Sequence, residues 1–309
     1  MSVSSPVPVA LAQCPDYAPD RLAALVPRLL DATGVAFRPG ETVLVKPNLV
    51  AAGNPLACTE PAVARAVCAY LLDLGARVVV ADSPAFGTAD GVARKCGLAQ
   101  TLAPLGIPVR TLGNPEALRL SFGASIGLSR DALEADRILN LPRLKAHCQM
   151  RITAAVKNLF GCVCGMRKAI AHTRFGECDN RFEAMITEVC AALPPVVTLL
   201  DGVNAMHESG PRDGSPFALG LLAASANPQA LDTALYGLLK LSPADIALWR
   251  EAIARALPGA DPADIAYPLD RPEAFDATGF VVPGILDPVA FRPTRLARGA
   301  LRRLYAKIS

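Results

Sequence analysis

Short runs of β-branched and aliphatic residues alternate with longer segments of helical periodicity along most of this chain. Most of the short runs are bounded by Gly, Pro, Asn or Asp, which is typical of strands. The segments between them are long enough for the crossover helices that consecutive parallel strands require. The alternation therefore predicts an α/β fold, with a mainly parallel, or mixed, sheet and helices on both faces.

The predicted elements divide the chain into a core and two C-terminal segments. Strands are predicted at residues 7–11, 42–45, 77–81, 107–111, 137–141, 196–200 and 217–224, and a short one at 279–282. Helices are predicted at residues 21–30, 61–74, 88–105, 152–160, 181–192, 228–239 and 243–257. We therefore expect a single α/β domain over residues 1–257. Residues 258–291 are expected to form an extended excursion over the surface, and residues 292–309 a basic helix.

The composition excludes several classes of protein. Hydrophobic residues make up 52% of the chain and charged residues 19%, which excludes intrinsic disorder. No apolar run approaches the ~18 residues that a membrane-spanning helix needs. The first residues also lack the basic segment of a signal peptide. A cytoplasmic location is therefore expected.

Positive charge is concentrated near the C-terminus. From Arg292 onward the sequence has six basic residues and no acidic one, whereas the preceding residues include 25 basic and 28 acidic side chains. A nucleic-acid-binding protein normally carries its basic surface in the body of its fold, so nucleic acid is not an expected partner. The basic segment is expected either to pack on the body as a helix or to bind a membrane surface.

Polar residues collect where four of the predicted strands end. The carboxyl ends of parallel strands meet at one edge of a sheet, where ligands of open α/β folds bind. We therefore expect these residues to share a functional site, although each group is also compatible with an ordinary turn. The residues are Lys46, Asn48, Asp82, Ser83, Lys145, His147 and Asp201.

The segment from Lys145 to His172 is rich in basic residues and contains no acidic one. Uncompensated positive charge beside an apolar helix suits an anionic ligand, such as a carboxylate or a phosphate. Lys157 and Asn158 end that predicted helix, and Gly161 after it would let backbone amides approach a ligand closely. Alternatively, Lys157 extends from the helix end into solvent and has only a structural role.

These patterns predict an enzyme that acts on a small anionic molecule. The lysines would neutralise the anion, and His147, or else His172, would act as acid or base. The aspartates would orient a cation, a hydroxyl group or a histidine. The predicted catalytic residues are His147, Lys145, His172 and Asp201. The predicted ligand-binding residues are Lys46, Asn48, Asp82, Ser83, Lys157, Asn158, Gly161 and Lys168.

Four of the nine cysteines lie close together in the sequence, with spacings of 14, 2 and 14 residues. They are Cys148, Cys162, Cys164 and Cys178. Thiolates hold iron–sulfur clusters, although this spacing matches no ferredoxin pattern. The alternative is that these cysteines are inert, buried thiols. The sequence therefore does not identify a cofactor. An iron–sulfur cluster is one alternative, and no other metal site is predicted.

Several of these segments resemble the family called domain of unknown function 362 (DUF362). The matching stretches include VLVKPNLV (43–50), VVVADSP (78–84), ILNLPRLKAH (138–147), TAAVKNLFGCVCG (153–165) and DGVNAMHESGPRDGSP (201–216). The resemblance covers about residues 40–240. It marks as recurring motif positions Lys46, Asn48, Asp82, Lys145, His147, Lys157, Asn158, Lys168, His172, Asp201 and Asp232.

The resemblance also implies two alternatives to the anion-binding enzyme. Many members of the family carry a C-terminal ferredoxin module, which is not expected here because no cysteine follows Cys190 in this sequence. The first alternative is therefore a redox protein, with oxidoreductase as the implied enzyme class, that receives electrons from a separate ferredoxin or holds a cluster itself. The second is a non-catalytic binding or scaffold protein that its basic C-terminal segment tethers to a membrane surface.

Overall fold

The computed structural model describes residues 6–50, 53–85, 87–176 and 180–286. The predicted basic helix and Cys178 lie outside these residues. The strands are β1 Val7–Pro8, β2 Ala10–Gln13, β3 Thr42–Pro47, β4 Arg77–Asp82, β5 Val109–Thr111, β6 Pro115–Arg119, β7 Ser125–Ser129, β8 Arg137–Leu141, β9 Arg143–His147, β10 Arg151–Thr153, β11 Val196–His207, β12 Ser215–Ser225 and β13 Ile265–Ala266. The helices are α1 Pro19–Asp31, α2 Pro61–Asp73, α3 Ala89–Lys95, α4 Leu98–Leu102, α5 Arg130–Leu133, α6 Ala155–Leu159, α7 Arg167–Phe175, α8 Arg181–Ala192, α9 Pro228–Leu238 and α10 Ala247–Ala254.

A mainly parallel sheet of nine strands forms the centre of the described chain, which confirms the predicted fold class. Strands β5, β4, β3 and β8 are neighbours in that order and run parallel. Strand β11 pairs in parallel first with β8 and then with β9. Pro142 lies between β8 and β9 in the chain. Strand β10 is antiparallel to β9, β12 to β11, and β2 to β12. The sheet is thus parallel at its centre and antiparallel at its margins.

Helices cover both faces of this sheet. Helices α1 to α4 contribute to one core, in which Leu22, Val67 and Leu98 are buried. Helices α6, α8, α9 and α10 contribute to the other, which includes Phe182 and Trp249. Burial on both faces explains why the central strands are apolar runs rather than alternating patterns. None of the helices in the described ranges is long and apolar enough to cross a membrane.

Several predicted boundaries are wrong for local reasons. Residues 88–105 form α3 and α4 rather than one helix, because Gly97 between them adopts a left-handed conformation with φ of 84°. Residues 152–160 are divided between β10 and α6, which begins at Ala155. The strand predicted to end at residue 200 continues to His207, because β12 pairs with β11 along that length.

The structure also contains elements that the sequence patterns did not predict. Strands β6 and β7 form an antiparallel hairpin whose first strand is largely exposed, so it has no apolar face to detect. Residues 279–282 form no strand, although the carbonyl oxygen of Val281 accepts a hydrogen bond from the backbone of Glu208. Residues 258–286 return to the N-terminal strands, since β13 pairs with β1 and Gln13 donates to Asp270.

Candidate active site

Lys46 and Asp82 form a buried ion pair at the ends of the adjacent strands β3 and β4. The Nζ atom of Lys46 lies 2.9 Å from Oδ1 of Asp82 and donates to the carbonyl oxygen of Pro47 at 2.9 Å. Oδ2 of the same carboxylate accepts a hydrogen bond from the backbone of Leu49. A Cβ atom on Gly161 would lie 2.6 Å from Asp82 Oδ1, so a side chain at this position would displace the ion pair.

Strand β9 holds three of the basic residues in a buried position. Lys145 and His147 were predicted to lie just past the end of the strand at residues 137–141, but the chain resumes as a strand after Pro142. All five residues of β9 are buried. Alternate residues of a strand project to the same face, so Arg143 shares the face of Lys145 and His147. The alternation in Arg-Leu-Lys-Ala-His is the signal that would have identified this strand.

Arg143 binds the carboxylates of Asp201 and Glu60. Its Nη2 atom lies 2.8 Å from Oδ2 of Asp201 and 2.9 Å from Oε2 of Glu60. The hydroxyl group of Tyr17 donates to the other oxygen of Asp201 at 3.0 Å. Asp201 was predicted to orient a neighbouring group, and the group that it contacts is the guanidinium of Arg143. Arg143 and its partners Glu60 and Tyr17 are not among the site residues predicted from the sequence.

A chain of side-chain amides extends from Lys145 into the core. Lys145 Nζ donates to Oδ1 of Asn48 at 2.7 Å and to the carbonyl oxygen of Ala57 at 2.9 Å. Asn48 donates to Asn158 at 2.6 Å, and Asn158 donates to Asn140 at 2.8 Å. Such hydrogen bonds polarise one another, which fixes the position of the Lys145 amine. Asn140 is a further residue that the sequence analysis missed.

Helix α6 carries Lys157, and a buried carboxylate holds the start of this helix. Asp232 of α9 accepts hydrogen bonds from the backbone of Ala155 at 2.7 Å and of Val156 at 3.1 Å. Burial raises the pKa of Asp232 to about 7, although these two hydrogen bonds oppose the rise. The Lys157 side chain is partly buried and its Nζ atom lies 4.5 Å from the ring centroid of Phe160.

Helix α7 adds Lys168 and His172 to the site. The Nζ atom of Lys168 donates to the carbonyl oxygen of Gly161 at 3.4 Å. The start of this segment is fixed by Ser83, whose hydroxyl oxygen accepts a hydrogen bond from the backbone of Gly165 at 2.7 Å. Ser83 therefore supports the loop before α7.

The two histidines have opposite tautomers. Nδ1 of His147 accepts hydrogen bonds from the backbone of Gln149 at 3.1 Å and of Met150 at 3.2 Å, so the neutral ring carries its proton on Nε2. Nδ1 of His172 lies 2.6 Å from Oε1 of Gln149, which is an acceptor, so this nitrogen carries the proton. His147 thus presents a donor at Nε2, and Nε2 of His172 is an acceptor.

We call this group of residues the lysine–histidine cluster. It consists of Lys46, Asp82, Lys145, His147, Lys157, Lys168 and His172. Burial lowers the pKa of Lys145 and of Lys157 to about 7 and that of Lys168 to about 8, and for Lys157 the charges of the neighbouring lysines add to the effect. Burial also lowers the pKa of both histidines far below their ordinary value, so the rings are neutral.

The cluster has more basic groups than acidic ones to balance them. Within the described ranges, the ion pairs of the cluster lysines are limited to that of Lys46 with Asp82. No carboxylate there lies within ion-pair distance of Lys145, Lys157 or Lys168. The structure therefore gathers the predicted lysines and histidines around a site with unbalanced basic groups.

The cysteines form no metal site among the described residues. Cys162 is completely buried, and burial raises its pKa to about 12, which favours the protonated thiol. Burial also raises the pKa of Cys164, whose sulfur contacts the carbonyl oxygen of Gly113. Among the described positions, no three His, Cys, Asp or Glu residues are grouped to hold a metal ion. The predicted cluster ligands stay a prediction, since Cys178 is not described.

Comparison with known proteins identifies one full-length relative. The chain is 36% identical over 307 residues to a thylakoid-associated protein of Synechocystis sp., and the match covers 97% of this chain and 95% of the relative. The predicted cytoplasmic location is therefore left as a prediction.

Two solved structures share part of the fold at low identity. The lactate racemase apoprotein from Thermoanaerobacterium thermosaccharolyticum is 13% identical, with a TM-score of 0.42 over 64% of this chain and 51% of that one. A protein from Thermotoga maritima is 14% identical, with a TM-score of 0.39 over 64% and 52%. The chain spans about half the length of each of these two proteins.

The family itself is identified by a match that covers most of the chain. Residues 43–237 fit the family model described as a domain of unknown function (DUF362), and this range includes every member of the lysine–histidine cluster. It also includes the positions that carried the resemblance in the sequence. The chain therefore belongs to the DUF362 family.

Proposed function

We propose that the protein is an enzyme that binds a small anionic ligand, a carboxylate or a phosphate, in the lysine–histidine cluster. The observation that carries this proposal is the gathering of Lys145, Lys157 and Lys168 without a carboxylate partner among the residues that the structure describes. Burial penalises their ammonium forms, and a bound anion would relieve that penalty. The ligand would thus supply the negative charge that the cluster lacks.

The roles of the residues follow from their contacts. Lys145 and Lys168 are held by oxygen acceptors and would bind the anion as fixed donors. His147 would donate a hydrogen bond to the ligand from Nε2, and His172 would accept a proton. Asp82 would hold the Lys46 side chain in place, and Asp201 would position Arg143 on β9, the strand that also carries Lys145 and His147.

Ligand-induced stabilisation tests the proposal. Oxalate and inorganic phosphate are added separately to the purified protein, and thermal unfolding and calorimetric titration are followed. At least one of the two anions should raise the melting temperature, since a ligand that binds only the folded state stabilises it. The Lys145→Met variant should lose this response while retaining its circular dichroism spectrum.

The matched control is Lys95→Met, which changes an exposed lysine on α3 outside the cluster. This variant should respond to the anions as the unchanged protein does. An absence of any response to both anions in the unchanged protein would contradict the proposal. A response that persists in Lys145→Met would also contradict it, because the anion would then bind elsewhere.

A second candidate function is association with an anionic membrane surface. The observation that favours it is the name of the 36% identical relative, a thylakoid-associated protein, together with six basic residues and no acidic one from Arg292 onward. The full chain should sediment with phosphatidylglycerol vesicles at low salt and not at high salt. A chain that ends at residue 291 should stay in the supernatant, and equal sedimentation of both chains would exclude this role of the basic segment.

A further inference from the structure

We infer that Lys157 is the nucleophile of the lysine–histidine cluster and that the ligand is a small 2-oxo carboxylic acid, which Lys157 binds covalently as an imine. This inference rests on the proposed function, because it requires that the cluster bind a carboxylate. It adds the chemical class of the substrate and the kind of bond that the site forms. Four features of the cluster support it.

The first feature is the set of contacts around Lys157. The other three cluster lysines each donate to an oxygen atom: Lys46 to Pro47, Lys145 to Asn48, and Lys168 to Gly161. In the described part of the chain, the contacts of Lys157 Nζ are with ring faces, at 4.5 Å from the centroid of Phe160 and 5.6 Å from that of Phe182. An amine whose lone pair and protons are not held by oxygen can reach a substrate carbon.

The second feature is the low pKa of the Lys157 amine. Burial, with the neighbouring charges of Lys168, Lys145 and Lys46, lowers the pKa of Lys157 to about 7. A substantial fraction of the molecules then carries a neutral amine at neutral pH, against roughly one in a few thousand for an ordinary lysine. Desolvation and a neighbouring cation are the recognised means of activating a lysine for Schiff-base formation.

The third feature is the arrangement of the remaining cations, which suits a carboxylate next to a ketone. Lys168 and Lys145 lie near enough to Lys157 for their charges to lower its pKa. They would bind the carboxylate group and leave the adjacent carbonyl carbon to the amine. The carbon of a carboxylate group does not form an imine with an amine, whereas the carbon of a ketone does. A ligand that reacts with Lys157 must therefore be an oxo acid rather than a simple carboxylic acid.

The fourth feature is the pair of neutral histidines, which can support the proton transfers of imine formation. The amine of Lys157 adds to the ketone carbon, and Nε2 of His172 carries the two protons of the nitrogen, one after the other, to the former ketone oxygen. The first proton forms the carbinolamine hydroxyl and the second lets it leave as water, while His147 donates a hydrogen bond to this oxygen from Nε2 and keeps its own proton. The products are one imine and one water molecule for each amine and ketone, so no oxidant or reductant is consumed.

Reductive trapping tests the inference. The purified full chain is incubated with pyruvate, treated with sodium borohydride and examined by intact mass spectrometry and peptide mapping. We expect one adduct, with the mass of pyruvic acid less one oxygen atom, on Lys157. Its yield at saturating pyruvate should rise through a pH near neutrality rather than near 10, where exposed lysines react.

The Lys157→Arg variant separates this inference from the proposed function. Arginine keeps the positive charge but is not a nucleophile, so the variant should bind oxalate and form no adduct. Lys95→Arg, the matched exposed control, should form the adduct normally. Oxalate binding by the unchanged protein without an adduct on Lys157, or with an adduct only on another amine, would overturn the inference and leave the proposed function standing. If the unchanged protein neither binds oxalate nor forms the adduct, the inference and the proposed function are both overturned. Peptide mapping of the unchanged protein tests the inference even where a variant fails to fold.

Discussion

Lysine is an uncommon residue in this chain, and more than half of the lysines belong to one site. The chain has seven lysines, and four of them belong to the lysine–histidine cluster. A buried lysine can lose its proton, whereas arginine keeps its charge at every accessible pH. An empty cluster of lysines can therefore relieve its own repulsion by deprotonation, which a cluster of arginines could not. The choice of residue suits a site that alternates between an empty and an occupied state.

This property makes anion binding dependent on pH. In the free protein the pKa of Lys145 is about 7 and that of Lys168 is about 8. A bound dianion favours the ammonium forms and raises both pKa values, so binding above pH 7 is accompanied by proton uptake. The affinity for oxalate should therefore be constant below about pH 6.5 and fall by up to about tenfold per pH unit, for each proton taken up, as the pH rises from 7 to 9.

Calorimetric titration in two buffers of different ionisation enthalpy measures this effect. Oxalate is the suitable probe because its own charge does not change over this range. The observed binding enthalpy at pH 8 should differ between the buffers in proportion to the protons taken up. An affinity for oxalate that does not change between pH 6.5 and pH 9 would show that the lysines are already charged in the free protein.

At the scale of the element, the short helix α6 depends on a residue far away in the sequence. Its five residues could not form a stable helix alone, since isolated helices of this length are not stable in water. Asp232 accepts hydrogen bonds from the first two of them and thereby fixes the helix that carries Lys157 and Asn158. Asp232 is therefore a positioning residue. This role explains why it is among the recurring motif positions of the family although it lies outside the lysine–histidine cluster.

Replacement of Asp232 by alanine should therefore affect both stability and binding. The substitution leaves two buried backbone donors without an acceptor, which costs about 1–3 kcal/mol for such a group. Urea denaturation should show this loss, and the affinity for oxalate should fall because Lys157 moves. Asp73→Ala, at an exposed position of α2, should change neither quantity appreciably. Unchanged oxalate binding by a folded Asp232→Ala protein would show that α6 is positioned without the cap.

The elements also show what the sequence could and could not predict. The helix predicted at residues 181–192 is confirmed because its apolar residues follow one helical face. The segment 152–160 was misassigned because short apolar runs fit a helix or a strand equally well, and only the pairing of β10 with β9 decides between them. The lysines of the cluster could be named individually, but their proximity depends on how α6 and α7 pack, which no local pattern specifies.

At the scale of the whole molecule, Arg143 connects segments that are distant in the chain. It joins β9 to β11 through Asp201, to the start of α2 through Glu60, and to the segment before α1 through Tyr17. Its side chain is only 1% exposed. Removal of a buried cation from such a network leaves the buried carboxylate of Asp201 without its charged partner. The stability of the edge that bears the lysine–histidine cluster therefore depends on this one guanidinium group.

The Arg143→Met variant should lose about 3–5 kcal/mol of unfolding free energy, the usual cost of breaking a buried ion pair. Urea denaturation measures the loss, and Arg21→Met is the matched control, because Arg21 forms an exposed ion pair with Asp16 that should contribute less than about 1 kcal/mol. In an Asp201→Asn background the loss caused by Arg143→Met should shrink, since the unpaired buried charge is then absent. An equal loss in both backgrounds would mean that Arg143 stabilises the protein through packing rather than through its charge.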